Sequence, residues 1–387
     1  MSLKKVYFDN AATTSVHPQI VEKMLPYLKE YFGNPSSIHS FGRKGRNAIE
    51  EAREIAAHSI NAHPSEIYFL SGGTEANNFS VRGIVSANKN ESGKIKIVTS
   101  SAEHHCVLDS CSELEKNGFP LNRISLNHDF SIKHEELINS IDDSTSLVAI
   151  MHVNNEVGSI NDIEEISETI FSKNTYFHTD AVQSFCKLNI DVKKLNVHSL
   201  SVSAHKINGP KGIGFTYVKS GTPINSIMYG GSQERNRRGG TENVVAIVGF
   251  AEAIKIAGSN IENNYKTVHE LRDVLINGIN SIDPEGISIN NSPNQLPYIL
   301  SITFNPNYYK NDSESMLMYL DINGIAVSNG AACTSGTLKP SHVILSAGYS
   351  KEEAEGTIRF SFSTKNTLEE VYYCLEVLDR FSKKFRS

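Results

Sequence analysis

An α/β fold, with a mostly parallel seven-stranded sheet in a large domain and a smaller α+β domain beside it, is what this 387-residue sequence predicts. Three observations predict it. Seven short β-prone runs follow one another between Ile67 and Val218. Stretches with apolar residues at helical spacing separate most of them, the alternation of a parallel sheet with helices on both faces. After about Thr241 the rhythm changes, and two helical stretches lead into a region with fewer strands.

Taken in order, strand-like sequence at Val6–Thr14 precedes Ile20, Met24, Leu25 and Leu28, which recur at helical spacing. Gly33-Asn34-Pro35-Ser36-Ser37 breaks that helix, and a longer one is expected from about Ile38 to Asn61. The seven strands are expected at Ile67–Leu70, Ile95–Thr99, Arg123–Leu126, Leu147–His152, Tyr176–Thr179, Leu200–Ser203 and Gly214–Val218. Helical stretches at Glu75–Ala87, Val107–Lys116 and Ile163–Phe171 lie between them, and Asn243–Ala257 and Asn260–Ile282 follow. The expected division assigns residues 14–255 to the large domain, and 1–13 with 256–387 to the small one.

A hydrophobic content of 39% with 21% charged residues suits a globular protein that buries a large core. The net charge of −6 argues against nucleic acid or an anionic membrane surface as the main partner. No run of about 18 apolar residues occurs, so no transmembrane helix is expected. The N-terminus has no signal-peptide core, so a cytoplasmic location is expected. Five cysteines (Cys106, Cys111, Cys186, Cys333, Cys374) with no C-x-x-C do not make a disulfide framework. Dinucleotide, P-loop and zincin signatures are missing.

Chemistry concentrates at strand ends, where ligands bind in such sheets. Lys206 stands in a Gly- and Pro-rich turn between two β-prone runs. It is either a solvated loop lysine or a desolvated amine able to form a Schiff base with an aldehyde such as pyridoxal phosphate. That cofactor needs a phosphate cradle and a carboxylate for its ring nitrogen. Ser71-Gly72-Gly73-Thr74-Glu75, between a strand and a helix, has the outline of the cradle; an ordinary turn with Thr74 as N-cap fits equally. Asp180 closes a strand with Gln183 three residues on, and is a carboxylate for the ring or a helix cap. Ser203 and His205 offer donors to a phosphate or to their own turn. His104 has a flat, titratable ring suited to stacking and proton transfer, or is a plain loop histidine. The spacing of Cys106 and Cys111 beside it fits no common zinc pattern, and no metal is expected. Small residues surround Cys333, which suggests a flexible, accessible loop and a reactive thiol. Arg359, in an apolar run, is paired structurally or clamps a substrate carboxylate.

These stretches together resemble the cysteine desulfurase family, in its nitrogen-fixation and iron–sulfur-assembly branch within the class V aminotransferase superfamily. The resemblance rests on Y-F-D-N-A-A-T-T (Tyr7–Thr14), G-N-P-S-S-I-H (Gly33–His39), S-G-G-T-E-A-N-N (Ser71–Asn78) and A-E-H-H (Ala102–His105). H-V-N-N-E-V-G (His152–Gly158), H-T-D-A-V-Q-S (His178–Ser184), S-A-H-K (Ser203–Lys206), R-R-G-G-T-E-N (Arg237–Asn243) and A-A-C-T-S (Ala331–Ser335) continue it in the family's order. It implies fold-type I of the pyridoxal-phosphate enzymes, Lys206 as Schiff-base lysine, Asp180 as pyridinium partner, and His104 as stacking ring and proton shuttle. It also implies Gly73, Thr74, Ser203 and His205 at the phosphate, and Gln183 and Asn155 near the phenolic oxygen. Asn155 and Arg359 are implied at the substrate carboxylate, and Cys333 as sulfur acceptor. Thr241 is implied to reach the phosphate of a neighbouring subunit, hence a homodimer. Two departures stand out: Asn329-Gly330-Ala331-Ala332 before Cys333, and Ser363-Thr364 where the family often has Gly-Arg.

The expected activity is removal of sulfur from L-cysteine, giving L-alanine and an enzyme-bound persulfide for an acceptor protein, an iron–sulfur scaffold or a sulfur relay. A selenocysteine lyase or another enzyme of the same fold type is the alternative. An aminotransferase has no need of the Cys333 thiol, and a non-catalytic scaffold has no need of Lys206, Asp180 and Cys333 together.

Overall fold

The computed structural model describes residues 4–330 and 339–387. Its strands are β1 (Val6–Tyr7), β2 (Ile67–Leu70), β3 (Lys96–Ser100), β4 (Leu121–Ile124), β5 (Thr145–Ala149) and β6 (Tyr176–Asp180), followed by β7 (Ser199–Ser203) and β8 (Gly214–Val218). Beyond them come β9 (Ile287–Ile289), β10 (Ile299–Phe304), β11 (Ile325–Ala326) and β12 (Thr357–Ser361). The main sheet has seven strands in the order β2-β8-β7-β6-β5-β3-β4. β8 is antiparallel to both neighbours and every other pairing is parallel. The expected Arg123–Leu126 strand sits at Leu121–Ile124, because Leu126 turns away to bridge Ile132.

Alternation along the strands fills two layers. Leu147 and Ala149 of β5 pack with Phe79, Ile84 and Val107 from helices α3 (Gly73–Ser92) and α4 (His105–Lys116), which follow α1 (Pro18–Lys29) and α2 (Ser40–His58) in the chain. Val148, between them, faces Ile49, Ala52 and Phe250 on the other side. All five residues of β5, β7 and β8 are buried, as strands covered on both faces must be. Each large apolar side chain so enclosed contributes roughly 1.5–3 kcal/mol relative to exposure.

A second core forms around the antiparallel sheet β12-β10-β9. Leu300, Ile302, Ile358 and Phe360 meet Leu275, Val371 and Phe381 there, and Val6 and Phe8 join them from the start of the chain. Helices Val244–Gly258 and Ile261–Ile282 bend by 71° where they meet. The first packs on the main sheet and the second on the antiparallel one. No single helix among the described residues is long and apolar enough to cross a membrane.

The parallel strands β3, β5, β6 and β7 end on one edge of the main sheet, and β2 runs with them. The segments that leave this edge carry Thr74, His104, Asn155, Asp180 and Lys206. Sheet direction alone therefore collects them.

Candidate active site

A cavity of about 550 Å³ opens at that edge, lined by Gly73, Thr74, His104, Asn155, Asp180, Gln183, Ser203, His205, Lys206 and Arg359. Ten expected site residues thus meet in one place. Thr241 does not join them: it lies in a separate hollow of about 170 Å³ with Phe69, Ser71 and Gly240. Cys333, and the loop expected around it, lie outside the described residues.

Lys206 ends a one-turn 3₁₀ helix, Ala204–Lys206, directly after β7. Its ammonium donates to the carbonyl of Ala11 and to that of Ala12, 2.8 Å away. Burial, then the nearby Arg359 cation, push its pKa down to about 8, while Asp180 and Asp9 pull the other way. The free amine is therefore far more available near neutral pH than in a surface lysine.

Asp180, the last residue of β6, is buried. Oδ1 accepts from the Val182 amide at 2.8 Å and Oδ2 from Asn77 Nδ2 at 2.6 Å. No helix follows it, so it caps a turn and faces the cavity at once. Burial raises its pKa against the pull of His104, these hydrogen bonds and Lys206. A cationic ring nitrogen brought into the cavity would meet a carboxylate that lacks a full countercharge.

His104 is the N-cap of α4: its Nδ1 accepts from the Cys106 amide at 3.2 Å and lies 3.0 Å from Cys106 Sγ. That leaves Nε2 to carry the proton of the neutral ring. Burial holds the imidazole below its ordinary pKa.

The segment after β2 bears on a phosphate. The N-cap of α3 is Gly72, with φ +150° and no side-chain cap, so Thr74 is not the cap that an ordinary turn offers. The first amides of a 20-residue helix are left open to the cavity edge. A Cβ on Gly73 would stand 2.8 Å from Val182 Cγ2, so only glycine lets the turn pass there. Ser203 Oγ is buried with no hydrogen-bond partner. His205, held to about 4 by burial and by neighbouring lysines, is a neutral ring with Nδ1 3.2 Å from Thr13 Oγ1. An orphaned hydroxyl, uncapped amides and a neutral imidazole fit an anionic group. With Asp180 and Lys206 they fit pyridoxal 5′-phosphate.

Arg359, on β12, is paired: Nη2 donates to Asp9 Oδ1 at 2.7 Å and Nη1 to the Asn155 carbonyl at 2.9 Å. Its buried Nε has no partner. Gln183 donates from Nε2 to the Ala11 carbonyl at 3.0 Å and accepts from Lys187 at 3.2 Å. Ser363 and Thr364 line a hollow of about 50 Å³ behind Lys206, together with Lys187.

Sequence reasoning did not single out Asp9 or Asn77 as site residues, and weighed Cys106 only as a metal ligand or a second-choice nucleophile after Cys333, although all three line the cavity. Asp9 and Asn77 stand inside motifs read for other residues. Asn77 also accepts from His178 Nε2 at 2.9 Å, which fixes its amide so that Nδ2 faces Asp180. Burial pushes the Cys106 thiol well above its ordinary pKa, so it makes a poor thiolate. Among the described residues no group of three or more His, Cys, Asp or Glu stands together to hold a metal.

A family model described as aminotransferase class-V matches residues 6–373. The cysteine desulfurase IscS of Clostridium botulinum is 43% identical over 383 residues, 99% of this chain and 96% of that protein. Among solved structures, a NifS-like protein superposes with a TM-score of 0.90 at 36% identity, covering 98% of this chain and 100% of that one. SspA in complex with cysteine superposes with a TM-score of 0.81 at 35% identity, covering 94% of this chain and 100% of that one.

Proposed function

The chain belongs to the class-V aminotransferase family and, within it, to the pyridoxal-phosphate-dependent cysteine desulfurases, and we propose that the cavity beneath Lys206 is its active site. The reaction removes sulfur from L-cysteine and leaves L-alanine and an enzyme-bound persulfide. The observation that carries the assignment is the convergence of Lys206, Asp180, the unpartnered Ser203 hydroxyl and Arg359 on one cavity.

When bound, pyridoxal 5′-phosphate supplies an aldehyde that takes up amines and a ring that withdraws electrons. Gly73, Thr74, Ser203 and His205 hold its phosphate, Asp180 its ring nitrogen, and Gln183 and Asn155 its phenolic oxygen. Lys206, with an amine partly free near neutral pH, takes and returns protons at Nζ. His104 stacks in the cavity and moves a proton at Nε2. Arg359 and Asn155 bind the carboxylate of cysteine, the guanidinium already aimed by Asp9. Cys333 takes the sulfur: the carbon–sulfur bond of the substrate breaks as a sulfur–sulfur bond to Cys333 forms. The other cysteines are poor rivals, since burial raises Cys106, Cys111, Cys186 and Cys374 alike. Residues 14–255 form the large domain and 1–13 with 256–387 the small one, so the site lies between them. The enzyme works in the cytoplasm and passes its sulfur to an acceptor protein, an iron–sulfur scaffold or a sulfur relay.

The decisive variant is Cys333→Ser. It is expected to keep its colour and its spectral change on adding cysteine, yet to form no persulfide and almost no alanine. Full activity in it moves the nucleophile elsewhere.

The active protein is a homodimer in which Thr241 serves the partner's site. Phe32, Ile38 and Phe41 are 73%, 92% and 55% exposed, an apolar surface that a second copy would cover. Thr241→Ala and Lys206→Ala chains, each inactive alone, are expected to recover about a quarter of the parent activity when mixed, because one site of each mixed dimer carries neither lesion. No recovery means that Thr241 acts within its own chain.

A further inference from the structure

Cys106 lines the cavity beside His104, yet burial keeps its thiol protonated, so it has no part in the chemistry above as a nucleophile. Its neighbours give it another. The sulfur lies 3.0 Å from His104 Nδ1 and accepts from Asn77 Nδ2 at 3.1 Å. The direction of each bond follows from its surroundings. The same Asn77 Nδ2 donates to Asp180 Oδ2 at 2.6 Å, and His178 Nε2 lies 2.9 Å from Asn77 Oδ1, so the amide has one orientation. The backbone amide of Cys106 donates to His104 Nδ1 at 3.2 Å. That nitrogen therefore presents a lone pair, and the thiol proton is the one shared with it. Asn77 is fully buried in the second turn of α3, and Cys106 stands in the first turn of α4. These two helices share one apolar core, which sets the spacing of the network.

We propose that Cys106 is a positioning residue that holds the His104 ring, with its proton on Nε2, in fixed register with Asp180. The proposal rests on His104 as the proton carrier of the site. An imidazole turns about two side-chain bonds, and the partner of one nitrogen sets which nitrogen is protonated. The backbone amide alone touches the ring at Nδ1 and leaves it free to pivot there. The thiol adds a second donor to that lone pair, and its sulfur is anchored in turn by the amide that serves Asp180. A ring so held presents its Nε2–H in one direction, and orientation of this kind counts directly in rate. Other groups also face the ring: Asp180 draws it toward its charged form, while Lys206, His105 and His342 oppose this. The share of the thiol is read by difference between variants.

Nitrogen NMR of holoenzyme carrying isotope-labelled histidine tests this, with His104→Gln used to identify the signals of the ring. In the parent, Nδ1 of His104 is expected to be the unprotonated nitrogen, and a proton found there overturns the proposal whatever the variants do. In Cys106→Ala the pH at which the ring titrates is expected to rise by about half a unit or more, because one of two donors to the lone pair is gone. Turnover of cysteine is expected to fall about fivefold with KM within about twofold, since no group that binds substrate is touched. Cys106→Ser, whose hydroxyl donates as the thiol does, should restore most of both. Parent values of titration and turnover in Cys106→Ala overturn the proposal. A serine variant as impaired as alanine does so too, since it assigns the loss to thiol chemistry. Loss of cofactor retention in step with turnover makes the residue a structural one and has the same consequence. Should His104→Gln turn over at the parent rate, the reading of His104 as proton carrier falls, while the titration shift still decides whether Cys106 holds the ring.

Discussion

Lys206, half-buried, and Lys187, buried, flank one hollow of about 50 Å³, and of the two only Lys206 also lines the large cavity. Lys206 faces the large cavity, with Asp180 and Asp9 near enough to favour its charged form. Lys187 is 8% exposed, and among the described residues its ammonium has one hydrogen-bond partner, Gln183 Oε1. The Tyr298 ring lies 5.3 Å away and no carboxylate pairs with it among those residues. Burial pushes Lys187 down to about 7 and Lys206 to about 8, so desolvation alone does not separate a working amine from an idle one. The difference is access. A reactive lysine needs an open face toward substrate and enough negative charge to carry its proton between steps.

The variant that separates the two lysines most strongly is Lys206→Ala. Turnover is expected to fall by at least about a thousandfold, because the amine and the proton carrier vanish together. Alanine production from cysteine at the parent rate would show that access to the cavity is not what matters. Lys187→Met should do far less to turnover. Loss of one hydrogen bond to Gln183 limits the fall to about tenfold. Its effect belongs to stability and has a definite sign. An unfolded chain protonates this lysine below about 10.5, whereas the folded chain does so only below about 7. Between those values the unfolded state binds more protons, so stability rises with pH, and the cost of the buried lysine is complete below pH 7. Methionine removes that cost, a gain on the order of 5 kcal/mol at pH 6 that fades as pH approaches 10.5. Denaturant melts of both proteins from pH 6 to 10 measure it. Parallel curves across that range would mean that Lys187 titrates as an ordinary surface amine.

Local patterns carried most of the architecture into the sequence. Short β-prone apolar runs gave the seven strands to within about two residues at most ends, since a strand covered on both faces must be apolar throughout. The helical stretch expected at Ile163–Phe171 matches its helix end to end. Strand ends also betrayed Lys206, Asp180 and Ser203, because a parallel sheet delivers its carboxyl ends to one edge whatever the detailed packing. Other facts needed distance rather than pattern. Asp9 and Arg359 lie 350 residues apart in the chain, and nothing local marks them as partners. Thr74 read equally as a cap or as part of a phosphate cradle until the fold put Gly72 in the cap's place. Glu156 looked like an ordinary charged residue of a motif and Lys187 stood outside every motif, for a side chain's desolvation and partners are set by elements remote in sequence. What the sequence determined alone was the order of elements and the chemical types at the strand ends. Only the tertiary structure decided which charges are buried, which pair with which, and which amine opens onto the cavity, because those are properties of chain segments that meet only when the chain is folded.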